Sequence, residues 1–390
     1  MKYKINKIKE INKRKYQIAN FASEFSVDND GNMYTYTTDT TITRLGINKT
    51  VEDFHLPGIH QAYALTHPRL CPVILDKYIF HVRYEKKGSF VLITDICDMK
   101  ELTRIYLPRD PFVRKVFKHD NHVFIAAEYL NENKYVLYKL SVEGEIVWEY
   151  QPSEGTLSTR DVVSLHDRKI LAPVSTNDKF SITKCYLVDN DKSEVAVVKD
   201  IDLPYSHLPL VKSEVLSDRN GNICIFTGYT GIYENDQITE PFKFNVVVLE
   251  PDGNECFRNT ISLNVFEPNL YYNQKYVISS NFMDARVIKT DLSNGSQTII
   301  IDSQDHKWIL KACSSENGTV LCRSDDKITD IYFLNSSDDI VCSTQTKGMV
   351  WFLELKNNYL YYVANDRFGI YNIMEYHVDE DNSTLSINTK

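Results

Sequence analysis

Apolar and polar residues alternate along this chain in short runs, and the runs are punctuated by turn residues. The stretch from Lys118 to Gln151, KHDNHVFIAAEYLNENKYVLYKLSVEGEIVWEYQ, shows the pattern most clearly. Three β-rich runs, His122 to Tyr129, Tyr135 to Leu140 and Glu145 to Tyr150, are separated by Asn131-Glu132-Asn133 and Glu143-Gly144. Period-two alternation built from Val, Ile, Tyr and Phe predicts strands with one or both faces buried. No stretch carries a sustained helical period with caps at both ends.

The same unit recurs eight times, each read as strands A, B, C and D. Strand A of the first unit is expected near Tyr16 to Val27, followed by a turn at Asp28-Asn29-Asp30-Gly31 and strand B at Met33 to Thr38. In the last unit strand A is expected at Val350 to Leu355, B at Tyr359 to Val363, C at Gly369 to His377 and D at Thr384 to Ile387. The B strands start near 33, 78, 122, 169, 223, 276, 320 and 359, a spacing of 39 to 54 residues. That period fits one four-stranded sheet per repeat. Turns of the form DNDGN, DRNGN, PDGN and ENGT place Gly after Asp or Asn, as tight hairpins with a residue at positive φ require. Pro follows several outer strands, at Pro57, Pro108, Pro152, Pro204 and Pro268. It cannot donate to a ladder and so ends the strand there.

This organisation resembles a β-propeller: all-β, with eight four-stranded blades expected and seven as the alternative. The run Glu143-Gly144-Glu145-Ile146-Val147-Trp148-Glu149-Tyr150 looks like the outer-strand motif of the quinoprotein-like (PQQ-type) propellers. The resemblance implies a ring of eight blades. The acidic and cysteine features with which such enzymes hold a quinone and calcium have no counterpart here, so no cofactor is expected. Residues 16–390 read as a single propeller domain. Residues 1–15, with Lys2, Lys4, Lys7, Lys9, Lys13, Arg14 and Lys15 against Glu10, read as a basic arm or an extra edge strand.

Composition narrows the function only coarsely. Hydrophobic residues make up 43% of the chain, enough for a large core, and the formal charge of −9 argues against wholesale nucleic-acid binding. The eight cysteines form no CxxC pair and mostly sit in apolar runs, which suits free thiols in a reducing compartment; a cytoplasmic location is the expectation. No apolar run is long enough to span a membrane.

In a propeller the D-to-A and B-to-C loops share one face around the channel, where ligands commonly bind. On that face the sequence nominates His60, Arg109, Arg160, His207, Glu267, Trp308 and Lys347. Arg109 and Arg160 would accept carboxylates of an acidic peptide or small anionic ligand. His60, His207 and His306, contributed by different blades, are the candidate metal ligands, since three neutral imidazoles suit zinc or manganese. The long loop from Tyr229 to Pro241 offers Tyr229, Ile232 and Tyr233 as a partner-binding lip. The expected function is a non-enzymatic scaffold for a protein or peptide partner. The alternative is a metal-assisted hydrolase or lyase acting on a small anionic or carbohydrate substrate.

Overall fold

The computed structural model contains eight sheets that follow one another along the chain as the blades of a ring. Its description covers most of residues 2–376. Residues 13–24, 61–69, 176–181, 201–209, 264–268, 281–285, 303–306 and 377–390 lie outside it, as do up to three residues at a time in other loops. The expected strand A from Tyr16 is therefore described only as Phe25–Val27, and the expected strand at Thr384 to Ile387 lies outside the described residues.

Strands A to D of blade 1 are Phe25–Val27, Met33–Thr38, Thr41–Leu45 and Val51–His55. In blade 2 strand A is split into Ile59–His60 and Val73–Leu75, followed by Tyr78–Glu85, Gly88–Asp95 and Glu101–Tyr106. Blade 3 is Phe112–His119, His122–Tyr129, Lys134–Leu140 and Ile146–Tyr150. Blade 4 again splits strand A, into Thr156–Leu157 and Val163–Ser164, before Lys169–Ser175, Lys184–Asp189 and Val195–Asp200. Blade 5 is Leu210–Ser217, Ile223–Tyr229, Phe242–Leu249 and Glu255–Leu263; blade 6 is Asn269–Asn273, Tyr276–Ser280, Val287–Asp291 and Gln297–Ile301. Blade 7 is Ile309–Ser315, Gly318–Ser324, Ile328–Leu334 and Ile340–Lys347. Every strand pairs antiparallel with its sheet neighbour, so the meander predicted from the repeat is the one formed.

Alternation explains why the sheets close into a ring. In strand B of blade 3, Val123, Ile125 and Ala127 point to blade 2, while Phe124 and Ala126 point to blade 4. Each blade thus has two apolar faces that it cannot bury alone. The core consists of eight clusters, one per junction between successive blades, and the last joins blade 8 to blade 1 through Tyr361, Val363, Met33 and Leu45. With eight junctions occupied, the seven-blade alternative falls.

Blade 8 combines both ends of the chain. Val350–Lys356, Tyr359–Ala364 and Arg367–Tyr376 supply strands A to C, and the N-terminal strand Lys2–Asn12 pairs with Arg367–Tyr376 as the outermost strand. A one-residue irregularity at Ile8 changes which face each residue meets. Tyr3 and Ile5, before it, pack toward blade 7; Ile11, after it, packs toward blade 1. Glu10 fixes this strand in place. It pairs with Arg367 at 3.1 Å and accepts hydrogen bonds from Tyr362 at 2.5 Å and Thr346 at 3.0 Å.

The outer edges share a further device. In blades 2, 3, 4, 5 and 7 the outer strand carries one extra residue just after the C–D turn, at Leu102, Val147, Ala196, Cys256 and Val341. Such bulges twist an edge out of register for pairing with another chain.

Candidate functional site

The antiparallel meander gives the ring two faces. One carries the D–A and B–C connections; the opposite one carries the A–B and C–D turns. On the first face Arg109, at φ +59° and about half exposed, lies over the Tyr129 ring and 3.8 Å from Glu132 in the B–C turn of blade 3. The guanidinium expected to meet a ligand carboxylate therefore already has an aromatic ring and an acid beside it. Lys347 is exposed at the end of strand D of blade 7. His60 pairs through its backbone with Arg83. The side chain of His60, and the residues Arg160, His207, Glu267, His306 and Trp308, lie outside the described residues.

The long blade 5 loop is a hairpin of its own, Ile232–Glu234 paired with Gln237–Glu240. Tyr229, expected on its lip, instead ends strand B, a strand buried on both faces, and is 1% exposed. The side chains of Ile232 and Tyr233 lie outside the described residues. Among the described residues no group of three or more His, Cys, Asp or Glu is placed to hold a metal ion.

A concave feature lies on the opposite face. A cavity of about 720 Å³ runs across the A–B turns of blades 1, 2 and 3 and reaches the C–D turn of blade 2. Its placement follows from local turn chemistry. In blade 1 the Asp28 carboxylate accepts from the Asn32 backbone N–H at 2.8 Å, from Asn32 Nδ2 at 2.8 Å and from Tyr34 Oη at 2.9 Å. The turn Asp218–Asn222 repeats the two Asn-to-Asp bonds. Asp28-Asn29-Asp30-Gly31 is thus the turn that the sequence predicts, and its first acid is saturated by its own loop. In blades 2 and 3 Asp76 and Asp120 take the left-handed conformation, at φ +53° and +49°, which short polar side chains tolerate.

Val27, Ile74, Leu75 and Ile96 form the apolar part of the wall. Arg44 spans it. Its Nε and Nη2 bind Glu52, at 2.7 and 2.5 Å, and its Nη1 donates to the carbonyls of Ile96 and Cys97 across the blade junction. Burial, reinforced by the Asp28 charge, pushes the Tyr34 phenol far above its usual pKa, so its proton stays on the hydrogen bond to Asp28. The rim is made of Asp30, Asp76, Lys77, Lys118, Asp120 and Asn121, all exposed. Asp120 receives a bond from Asn190 at 3.3 Å, whereas no hydrogen bond or ion pair holds Asp30 or Asp76 among the described residues.

Within electrostatic reach of Lys118 on this rim lies Glu354 on strand A of blade 8. Burial pushes its carboxyl up, and the nearby charges of Lys356 and Lys118 oppose that. Lys356 is spent on the carbonyls of Val27 and Asp28, at 3.3 and 2.9 Å. Reading the sequence for the other face missed this region. The signal was present: three successive A–B turns, Asp28-Asn29-Asp30, Asp76-Lys77 and Lys118-His119-Asp120-Asn121, crowd charge onto one end of neighbouring blades.

No family model matches the chain, and no curated protein matches it. Among solved structures it is similar to BamB from Moraxella catarrhalis, at 12% identity and a TM-score of 0.62, over 95% of this chain and 100% of that one. It is similar to the Dos1 propeller at 12% identity and a TM-score of 0.61, over 94% and 95% of the two chains. A europium-containing methanol dehydrogenase follows at 8% identity and a TM-score of 0.55, over 92% and 84%. At such identities the likeness is one of fold, that of an eight-bladed β-propeller.

Proposed function

We propose that this protein is a non-catalytic binding platform that engages a protein or peptide partner at the turn face of blades 1 to 3. The observation that supports this reading is the cavity itself. Val27, Ile74, Leu75 and Ile96 form an apolar patch in a lining that is otherwise mostly polar and charged, and the cavity sits on the short hairpins of three neighbouring blades. A concave surface that combines apolar area with a charged rim can seat a segment of a partner. The D–A and B–C face named by the sequence remains the competing location, through Arg109 and Lys347.

The two locations are separable by charge reversal. A chain carrying Asp30→Lys, Asp76→Lys and Asp120→Lys is expected to lose, by about tenfold or more, a partner that the unaltered chain captures from its native cell. A chain carrying Arg109→Glu and Lys347→Glu is expected to retain it. The reverse outcome would move the site to the other face.

A further inference from the structure

We infer that two copies of this chain pair edge to edge through the outer strand of blade 6, Gln297–Ile301, and so join their two blades into one continuous sheet about a two-fold axis. That strand shares no residue with the cavity across blades 1 to 3, so the pairing is independent of partner binding there.

Composition singles this strand out. It reads Gln-Thr-Ile-Ile-Ile, with no charged residue, whereas every other outer strand carries at least one. Gln297, Thr298 and Ile299 are exposed, Ile299 by 47%. Uncharged β-branched residues on an open edge are what edge strands ordinarily avoid. Register adds to this. In five blades a bulge just after the C–D turn twists the edge away, but in blade 6 the extra residue, Ile300, comes only past Ile299. Gln297, Thr298 and Ile299 therefore keep an unbroken pairing with Thr290, Lys289 and Ile288. Blade 1 has the other regular edge, and exposed Glu52 and Asp53 guard it.

The phase of the ladder fixes which groups face outward. The Asp291 N–H donates to the Ser296 carbonyl at 2.9 Å, so Ser296 and Thr298 point their backbone groups at strand C. Gln297 and Ile299 then present an N–H and a carbonyl each at the open edge. Two such edges are complementary when they run antiparallel about an axis at Thr298. Gln297 of each copy exchanges both backbone hydrogen bonds with Ile299 of the other. Thr298 meets Thr298, a favourable cross-strand pair, and the two Ile299 side chains lie diagonally on one face. No like charges meet, and this selects a second copy as the occupant. Strands of 5 residues bury less than a standard interface does, so the dimer is weak and reversible.

Sedimentation velocity on the full chain tests this pairing. The protein is expected to run as a monomer at about 10 µM and to be dimeric in large part at about 500 µM. Ile299→Lys should weaken association by about tenfold or more and leave the thermal melt unchanged, since Ile299 is exposed. Val147→Lys, at an equally exposed position on the bulged outer strand of blade 3, should dimerise as the unaltered chain does. Mixing Ile299→Lys with Ile299→Glu should recover the dimer, because the two side chains are diagonal neighbours across the axis. A chain that stays monomeric at about 500 µM would overturn the inference. So would a dimer that survives Ile299→Lys, one that Val147→Lys also abolishes, or a mixture of the two charged variants that fails to associate.

Discussion

Single residues in this ring carry either closure or strain, and pH distinguishes the two. Glu354 is a carboxylate that the fold tolerates rather than uses. Burial raises its pKa, and Lys356 and Lys118 offset that only in part. A folded pKa above the unfolded one means that stability is greatest where the group is protonated and is lost as pH rises through the folded value. Glu354→Gln is therefore expected to stabilise the protein by about 1 kcal/mol at pH 8 and to change little at pH 4. Thermal melts at the two pH values test this. A substitution that destabilises at pH 8 would show that the attraction to Lys118 and Lys356 outweighs burial. Gly318 shows the same economy in the backbone. Its φ is +148°, and a Cβ there would sit 2.2 Å from the Leu334 carbonyl oxygen, so only glycine fits that hairpin.

At the scale of elements, legibility depended on how strictly alternation held. Strands B and C sit between two neighbours and are apolar on both faces, and the runs His122–Tyr129 and Tyr276–Ser280 form as the sequence predicts. Alternation fails where a bulge inserts a residue. At Ile8 it turns Ile11 to the face opposite Tyr3 and Ile5, so no single parity describes the N-terminal strand. That strand looked like a basic arm or an extra edge because its partner, Arg367–Tyr376, lies more than three hundred residues away. No local signal reports so distant a pairing. Removing residues 1–12 should expose the Tyr371 and Ile373 face of blade 8 and lower the melting temperature by roughly 10 °C or more. A synthetic peptide of residues 1–12 added in trans should restore part of the loss. An unchanged melt would mean that the strand is dispensable for closure.

At the scale of the molecule, the repeat period and the turn residues were enough to place the fold, because each blade is a local meander and contacts between blades only repeat it. The site was less legible. The sequence locates loops but not which of them converge, and attention fell on the D–A and B–C face because ligands commonly bind there. Arg109 proved to sit beside Glu132 and Tyr129, and Tyr229 proved to be core. The cavity arises instead where three ordinary hairpin turns meet, each explained by its own geometry and informative only together.

The most direct test of partner binding at that face is site-specific photocrosslinking in the native cell. A benzophenone amino acid would be placed at Asn29 and at Asn121 on the rim of the cavity, and at Arg109 and Lys347 on the opposite face. Binding at the turn face predicts one crosslinked partner shared by Asn29 and Asn121, and none from Arg109 or Lys347. Crosslinks from Arg109 or Lys347 alone would contradict it and place recognition on the D–A and B–C face.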